Sequence, residues 1–202
     1  MEKIIARVLS FLFHPLLVPS YFLLILFQLS LPEATAAQGK FKTLLWLFVF
    51  TMTFMLPILF SFLLWGLKYL KSLQMQEREE RMLPMVAVAV FYYFTFYALK
   101  QLPIFPYFKL FMVGSTVLVL LGILINYFYK ISLHLIAWGG FTAALIGLSF
   151  QLHLSLFLWL FLVIFISGLT GYARLQCKAH YYLQINLGFL LGFVVMLALF
   201  LI

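Results

Sequence analysis

This sequence predicts an all-α fold, a polytopic bundle of six to seven transmembrane helices. Hydrophobic residues make up 66% of its 202 positions, and charged residues make up only 9%. So few charges cannot cover the surface of a soluble domain, which makes the bilayer the main solvent. We therefore expect one transmembrane domain over residues 1–202.

The spans follow from apolar runs of roughly 17 residues or more, the length needed to cross the hydrocarbon core. Seven such runs occur, at about 15–31, 43–67, 84–99, 107–128, 133–150, 154–172 and 181–202. The second run is long and the third is short, which indicates a helix that is tilted, kinked or partly interfacial. Pro57 lies inside the second run, where it can supply a kink. The first polar break covers residues 32–42, and the most charged break covers residues 68–81.

Composition limits the classes of partner. The net charge of +8 suits contact with anionic lipid or phosphate. The single cysteine, Cys177, excludes an internal disulfide and argues against a metal site built from cysteines. We expect no metal, no other cofactor and no nucleic-acid partner, and the sequence leaves the oligomeric state open.

Seven crossings divide the polar breaks between two sides of the membrane. The first side holds the amino terminus and the breaks near 68–83, 129–132 and 173–180. It carries nine of the 13 lysines and arginines: Lys3, Arg7, Lys68, Lys71, Arg78, Arg81, Lys130, Arg174 and Lys178. An excess of positive charge is typical of the cytoplasmic side. If five of these residues bind phosphate, four cations remain on each side, and the orientation stays open.

The breaks on the first side also hold most of the reactive side chains. These are Lys71, Arg78 and Arg81 in the first break, Lys130, Ser132 and His134 in the second, and Arg174 and His180 in the third. Lysine and arginine neutralise and orient a phosphate ester. One imidazole can attack phosphorus while the other protonates the leaving oxygen. The pattern therefore favours a phosphate site at one membrane interface.

At these positions the sequence resembles the type-2 phosphatidic acid phosphatase superfamily of membrane lipid phosphatases. That family carries three ordered motifs, KxxxxxxRP, PSGH and SRxxxxxHxxxD. The spacing from Lys71 to Arg78 fits the first motif, but Glu79 stands where the motif has proline. Ser132 and His134 fit the second motif, without its proline and glycine.

The third motif is the best preserved. Arg174 and His180 keep its spacing, while Ala173 replaces its serine and Gln184 replaces its aspartate. The resemblance covers residues 71–192, which we expect to form a phosphatase-like core.

The resemblance implies a metal-independent lipid phosphate or diphosphate phosphatase that works through a phosphohistidine. It implies that His180 is the nucleophile and His134 the general acid. It assigns the phosphoryl oxygens to Arg174, Ser132, Lys71 and Arg78, with Arg81 as the alternative to Arg78 because Pro84 follows it. The expected substrate is a membrane lipid phosphate, and the expected location is the bacterial inner (cytoplasmic) membrane.

Gln184 separates two interpretations of this site. It follows His180 by four residues, so the two side chains share a helix face. A glutamine oxygen can accept the imidazole N–H and fix the tautomer, but it adds no negative charge. Loss of the corresponding charge in a serine-protease triad costs about 10⁴-fold in rate. The alternative is therefore a catalytically degenerate relative that binds or moves an anionic phospholipid.

Each side chain also has an ordinary interpretation. Arg174 can anchor a helix end at the headgroups, and residues 71–81 can form a solvated segment with internal ion pairs. His134 can be an interhelical hydrogen-bond donor. Outside the motifs, we interpret His14 and His153 as interfacial, and Gly139-Gly140 and Gly188-x3-Gly192 as close-packing helix faces.

Overall fold

The computed structural model describes residues 2–29, 31, 39–73, 75, 77–102 and 104–202, and every regular element within them is a helix. The α-helices of this part of the chain are α1 Glu2–Leu12, α2 Val18–Gln28, α3 Gly39–Phe50, α4 Leu56–Gly66, α5 Met82–Leu99, α6 Pro106–Phe128, α7 Leu133–Leu152, α8 Phe157–Gln176 and α9 Tyr182–Leu201. Short 3-10 turns, Pro15–Leu17 and Glu79–Arg81, precede α2 and α5. The predicted all-α fold is confirmed.

Seven helical stretches in the described residues are long and apolar enough to cross a membrane, which makes this a multi-pass integral membrane protein. Each predicted apolar run corresponds to one of them. The first stretch begins at Glu2 rather than near residue 15, because an additional short helix, α1, precedes α2. Most of the first predicted break, residues 32–38, lies outside the described residues.

The second span contains an irregular turn beside Pro57. A π-helical segment, Thr51–Met55, joins α3 to α4, and the N–H of Leu56 donates to the carbonyl of Thr51, five residues back. A proline in an α-helix has no N–H to donate, and its ring clashes with the carbonyl four residues before it. A wider turn relieves that clash. The irregularity predicted at Pro57 therefore takes the form of a π-helical segment.

Contacts divide the chain into two compact units. The terminal unit comprises residues 1–18 and 129–202, and so contains α1 and α7 to α9. The middle unit comprises residues 19–128, with nearly all of α2 and the whole of α3 to α6. A single domain over 1–202, with a phosphatase-like core over 71–192, stays a prediction.

Helix α7 is the centre of the terminal unit and contacts α8, α9 and the Pro15–Leu17 turn. Its backbone and that of α9 approach closely because glycines line the contact. A Cβ atom on Gly192 would collide with the backbone of Ile136, and one on Gly188 would lie 2.8 Å from the carbonyl oxygen of Ser132. Small residues permit such packing in lipid. The predicted close-packing faces are confirmed, and they hold the start of α9 against the start of α7.

In the middle unit, aromatic stacking joins α2 to α6. The ring of Phe22 stacks on Phe111 with a centroid distance of 4.3 Å, and on Phe108 at 6.4 Å. Near the end of α6, the buried Asn126 donates its Nδ2 to the carbonyl of Arg78 at 2.9 Å. This hydrogen bond ties the segment before α5 to the end of α6.

Candidate active site

The turn between α8 and α9 fixes the position of His180. The N–H of Lys178 donates to the carbonyl of Leu175 at 2.8 Å, and the N–H of Ala179 donates to the carbonyl of Arg174 at 3.1 Å. Lys178 adopts a left-handed conformation, with φ at 52°. These bonds form the two-bond motif that ends many helices and reverses the chain. The reversal delivers His180 directly before α9.

Gln184 holds His180 and the first turn of α9 with one oxygen. Its Oε1 accepts from the backbone N–H of Tyr181 at 3.3 Å and lies 2.9 Å from Nδ1 of His180. A backbone N–H can only donate, so the amide atom that faces it is oxygen. The same oxygen then requires a proton on Nδ1, which leaves Nε2 of the neutral ring unprotonated and nucleophilic. His180 and Gln184 are 5% and 8% exposed, so this arrangement is shielded from solvent.

Ser132 lies beside this pair at the start of α7. Its N–H donates to the carbonyl of Gln184 at 3.3 Å, a contact that the absent side chain of Gly188 permits. The residue is 0% exposed, yet its hydroxyl does not cap α7 and has no hydrogen-bond partner among the described residues. A buried hydroxyl without a partner is costly, so this one is suited to binding a polar ligand.

Arg174 brings positive charge to the same end of the terminal unit. It lies in the last turn of α8, and its Nε is buried without a hydrogen-bond partner in the described part of the chain. The guanidinium lies within electrostatic range of His14 and His134. A guanidinium whose Nε–H is buried and unsatisfied favours an anion nearby.

His134 lies in the first turn of α7, and one of its nitrogens is held by the backbone. Its Nε2 lies 3.3 Å from the carbonyl oxygen of Ser10 in α1. A carbonyl can only accept, so Nε2 carries the proton and Nδ1 is the nitrogen that can exchange a proton with another group. It is an interhelical donor, as one of the ordinary interpretations expects, and it also lies within electrostatic range of Arg174 and His180.

Sequence reasoning missed His14, which we interpreted as interfacial. Its ring packs edge-on against His134, with centroids 5.3 Å apart and planes at 75°. The available signal was the His14-Pro15 pair, which interrupts an apolar run and so marks a helix boundary. His153, the other histidine without a motif, is exposed at the far end of α7.

Arg78, predicted from the first motif, belongs to the middle unit, where its guanidinium contacts the backbone. Its Nη1 donates to the carbonyls of Tyr127 and Phe128 at 3.2 and 3.1 Å, and its Nε lies 2.8 Å from a carboxylate oxygen of Glu79. It therefore caps the carbonyl end of α6. Its role as a phosphate ligand stays a prediction.

Arg81 and Lys71, also in the middle unit, differ in exposure. Arg81 is 7% exposed, and its Nε donates to the carbonyl of Met75 at 2.9 Å. Lys71 is exposed, and its backbone N–H donates to Oε1 of Glu80 at 2.9 Å. Their assignments to phosphate also stay predictions.

The terminal unit thus brings together five of the eight predicted site residues: Ser132, His134, Arg174, His180 and Gln184. They supply two imidazoles, each with one nitrogen held by a neutral oxygen, together with a hydroxyl and a guanidinium suited to an oxyanion. Within the described residues, no group of three or more histidine, cysteine or acidic side chains is placed to hold a metal ion. The chain matches no protein-family model, and neither the curated proteins nor the solved structures give a significant match to it.

Proposed function

We propose that this protein is a metal-independent phosphatase that acts on a lipid phosphate or diphosphate through a phosphohistidine at His180. One observation carries the proposal. The hydroxyl of Ser132 and Nε of Arg174 are buried without partners in the described residues, at the end of the terminal unit where His180 presents an unprotonated Nε2. The resemblance to the type-2 phosphatidic acid phosphatase superfamily supports the same chemistry.

The first step transfers the phosphoryl group to the protein. Nε2 of His180 attacks phosphorus, and the bond from phosphorus to the lipid oxygen breaks. Nδ1 of His134, protonated at this stage, gives its proton to the departing oxygen. Arg174 and Ser132 donate to the phosphoryl oxygens, whose negative charge they stabilise.

The second step returns the protein to its starting state. A water molecule attacks the phosphohistidine, Nδ1 of His134 takes a proton from that water, and the bond from phosphorus to Nε2 of His180 breaks. Inorganic phosphate leaves. The oxygen of Gln184 holds the Nδ1 proton of His180 in both steps, so the same nitrogen remains the nucleophile.

A membrane lipid is the substrate class that this location favours. His134 and Arg174 lie in the end turns of spanning helices, and His180 lies directly before one, where headgroups meet protein. Exposed apolar side chains on the spanning helices suit contact with acyl or polyprenyl chains. We propose the bacterial inner membrane as the location.

Release of phosphate in detergent micelles tests the proposal. Phosphatidate or a polyprenyl diphosphate is supplied in the presence of a chelator, and the wild-type protein is expected to release inorganic phosphate. His180→Ala is expected to lower the rate by at least about 10⁴-fold, because a group transferred through a covalent intermediate loses its acceptor. The matched control is His153→Asn, which removes an exposed histidine at the other end of α7 and keeps a residue that tolerates the positive φ there. Full activity of His180→Ala would sink the proposal.

A second candidate function is binding or movement of an anionic phospholipid without turnover. The neutral side chain at Gln184 favours it, because an imidazolium or phosphoimidazolium there gains no countercharge. In that case lipid binding survives His180→Ala and weakens in Arg174→Ala.

Gln184→Glu separates the two candidates. Glutamate keeps the length of glutamine, so one oxygen still reaches both Nδ1 of His180 and the N–H of Tyr181. A slow enzyme is expected to gain about fivefold to tenfold in turnover, because a charged hydrogen bond is stronger by roughly 1 kcal/mol. A binding protein gains no turnover and holds the anionic lipid less tightly, because the new charge repels it.

A further inference from the structure

A proline break near the amino terminus exposes backbone carbonyls beside the candidate site. Helix α1 ends at Leu12, and His14 is extended, with φ at −64° and ψ at 137°. Pro15 follows; it lacks an N–H and disfavours a helical conformation in the residue before it. The carbonyls in the last turn of a helix have no partner within that helix. The break therefore leaves strong acceptors at this point.

Side chains of α7 occupy two of these acceptors. Nε2 of His134 lies 3.3 Å from the carbonyl oxygen of Ser10, and Nε1 of Trp138 donates to the carbonyl of Phe13 at 3.1 Å. The ring of Phe13 also packs edge-on against Trp138, with centroids 5.8 Å apart. Since His134 and Trp138 are four residues apart, they lie on one face of α7. The end of α1 is therefore docked on that face.

His14 completes the surroundings of the His134 ring. The N–H of Leu16 donates to Nδ1 of His14 at 3.4 Å, so the backbone fixes the His14 ring. That ring meets His134 edge to face at 5.3 Å. Edge-to-face pairs of aromatic rings are favourable and directional. The rotation of His134 is thereby limited by a hydrogen bond at Nε2 and by ring packing.

The carboxyl end of α1 also affects the protonation of His134. A helix carries partial negative charge at its carboxyl end and stabilises a cation there. The carbonyl of Ser10 lies in that end and accepts from His134. The carbonyl of Ser10 thus favours a protonated His134 through Nε2, against the nearby charge of Arg174, while Nδ1 gives and takes the proton.

We propose that the segment Ser10–His14 positions His134, and that His14 is a positioning residue whose ring keeps Nδ1 of His134 toward the departing oxygen. The inference rests on the proposed phosphatase activity. It adds a third histidine and the amino-terminal helix to a site that the sequence motifs confine to residues 71–192.

Two variants of His14 separate ring packing from capping. His14→Phe keeps an aromatic ring but loses the acceptor for the N–H of Leu16. His14→Asn keeps an acceptor at the cap position but loses the ring. Under the proposal, the asparagine variant misplaces His134 and the phenylalanine variant does not.

The experiment compares the activity of each variant on two substrates that differ in their leaving group. An alkoxide, as released from phosphatidate, needs a proton from the general acid, whereas the nitrophenolate released from p-nitrophenyl phosphate does not. His14→Asn is expected to lower kcat/KM for phosphatidate by about 10- to 100-fold, a part of the 10²- to 10⁴-fold that acid–base catalysis supplies. It is expected to leave kcat/KM for p-nitrophenyl phosphate within about twofold, because kcat/KM reports the steps up to formation of the phosphohistidine, and the nucleophile and the anion contacts of those steps are intact. His14→Phe is expected to resemble the wild type on both substrates.

Three activity results overturn the inference: equal losses of His14→Asn on both substrates, no loss on either, or a loss of His14→Phe on phosphatidate equal to that of asparagine. If the wild-type protein releases phosphate from neither substrate, the proposed function fails. The positioning is then measured directly by nitrogen-15 NMR of the histidines. A single His134 tautomer protonated at Nε2 in the wild type, with averaging in His14→Asn, supports the inference; the same His134 spectrum in both proteins overturns it.

Discussion

Arg174 in the terminal unit and Arg78 in the middle unit have opposite surroundings. Arg174 has a buried Nε without a hydrogen-bond partner in the described residues. Arg78 donates to the carbonyls of Tyr127 and Phe128 and pairs with Glu79. A guanidinium that caps a helix has much of its hydrogen-bonding capacity occupied by the fold. A guanidinium with a buried, unsatisfied Nε–H is expensive without an anion, which makes Arg174 the better candidate for a phosphate ligand.

Among the variants that test this comparison, Arg174→Ala is expected to have the largest effect. Arg174→Ala is expected to lower kcat/KM for phosphatidate by roughly 10²- to 10³-fold, the usual cost of removing a donor to a developing anion. Thermal unfolding is expected at an unchanged or higher temperature, because the substitution removes a buried N–H that has no partner in the described residues. The control is Lys178→Asn, which removes an exposed cation from the same turn and keeps a residue that tolerates positive φ. Equal losses in the two variants would contradict a specific role for Arg174.

The next largest effect is expected at Gly192, whose close contact with Ile136 holds α9 against α7. Gly192→Ala is expected to lower the free energy of unfolding by about 1–3 kcal/mol, because the new methyl group collides with the backbone of Ile136. Activity is expected to fall as well, since α9 carries Gln184. Gly168→Ala is the matched control: nothing lies within 4 Å of its Cβ position, and it is expected to gain about 0.5–1 kcal/mol from helix propensity. Unfolding in a detergent titration measures both, and a stable Gly192→Ala protein would refute the close contact.

Substitution of Arg78 is expected to lower stability, whereas substitution of Arg174 is expected to lower activity. Arg78→Ala is expected to lower the free energy of unfolding by about 1–2 kcal/mol, because the carbonyls at the end of α6 lose a charged donor. The same detergent titration measures the change. An unchanged unfolding transition, together with weaker binding of a lipid phosphate, would instead make Arg78 the phosphate ligand that the first motif predicts.

The smallest expected effect is on the hydroxyl of Ser132. Ser132→Ala is expected to lower kcat by about fivefold to tenfold, since one neutral hydrogen bond contributes roughly 1 kcal/mol. Ser167→Ala is the matched control. Ser167 is also buried in the terminal unit, but its hydroxyl donates to the carbonyl of Val163 in its own helix. A rate loss in Ser167→Ala as large as that in Ser132→Ala would remove the special role of Ser132.

The motif spacing of the last break was sufficient to select Arg174, His180 and Gln184 as one group. It could not show that Gln184 makes two hydrogen bonds with one oxygen, because that depends on the start of α9 at Tyr182. Gln184, which stands where the family has aspartate, is therefore also part of the cap at the start of α9. Glutamine at the third helical position commonly accepts from the N–H at the helix start.

Two contacts between distant segments, one at the site and one in the middle unit, could not be predicted from the sequence. His14 has no motif spacing to the other histidines, and its contact with His134 exists because α1 docks on α7. The capping of α6 by Arg78 likewise joins residues that are 49 and 50 positions apart. Sequence spacing carries no information on such pairs, since either side chain could equally face lipid or solvent.

The sequence by itself determined the helices and the membrane embedding. Each span is set locally, because the hydrocarbon core requires a run of apolar residues of fixed length and internal backbone hydrogen bonds. The tertiary structure decided which polar groups meet. His134 and the carbonyl of Ser10 are 124 positions apart, and the N–H of Ser132 meets the carbonyl of Gln184 only because glycines let α7 and α9 approach. Those contacts depend on how the helices pack against one another, and the spacing of residues along the sequence does not encode that packing.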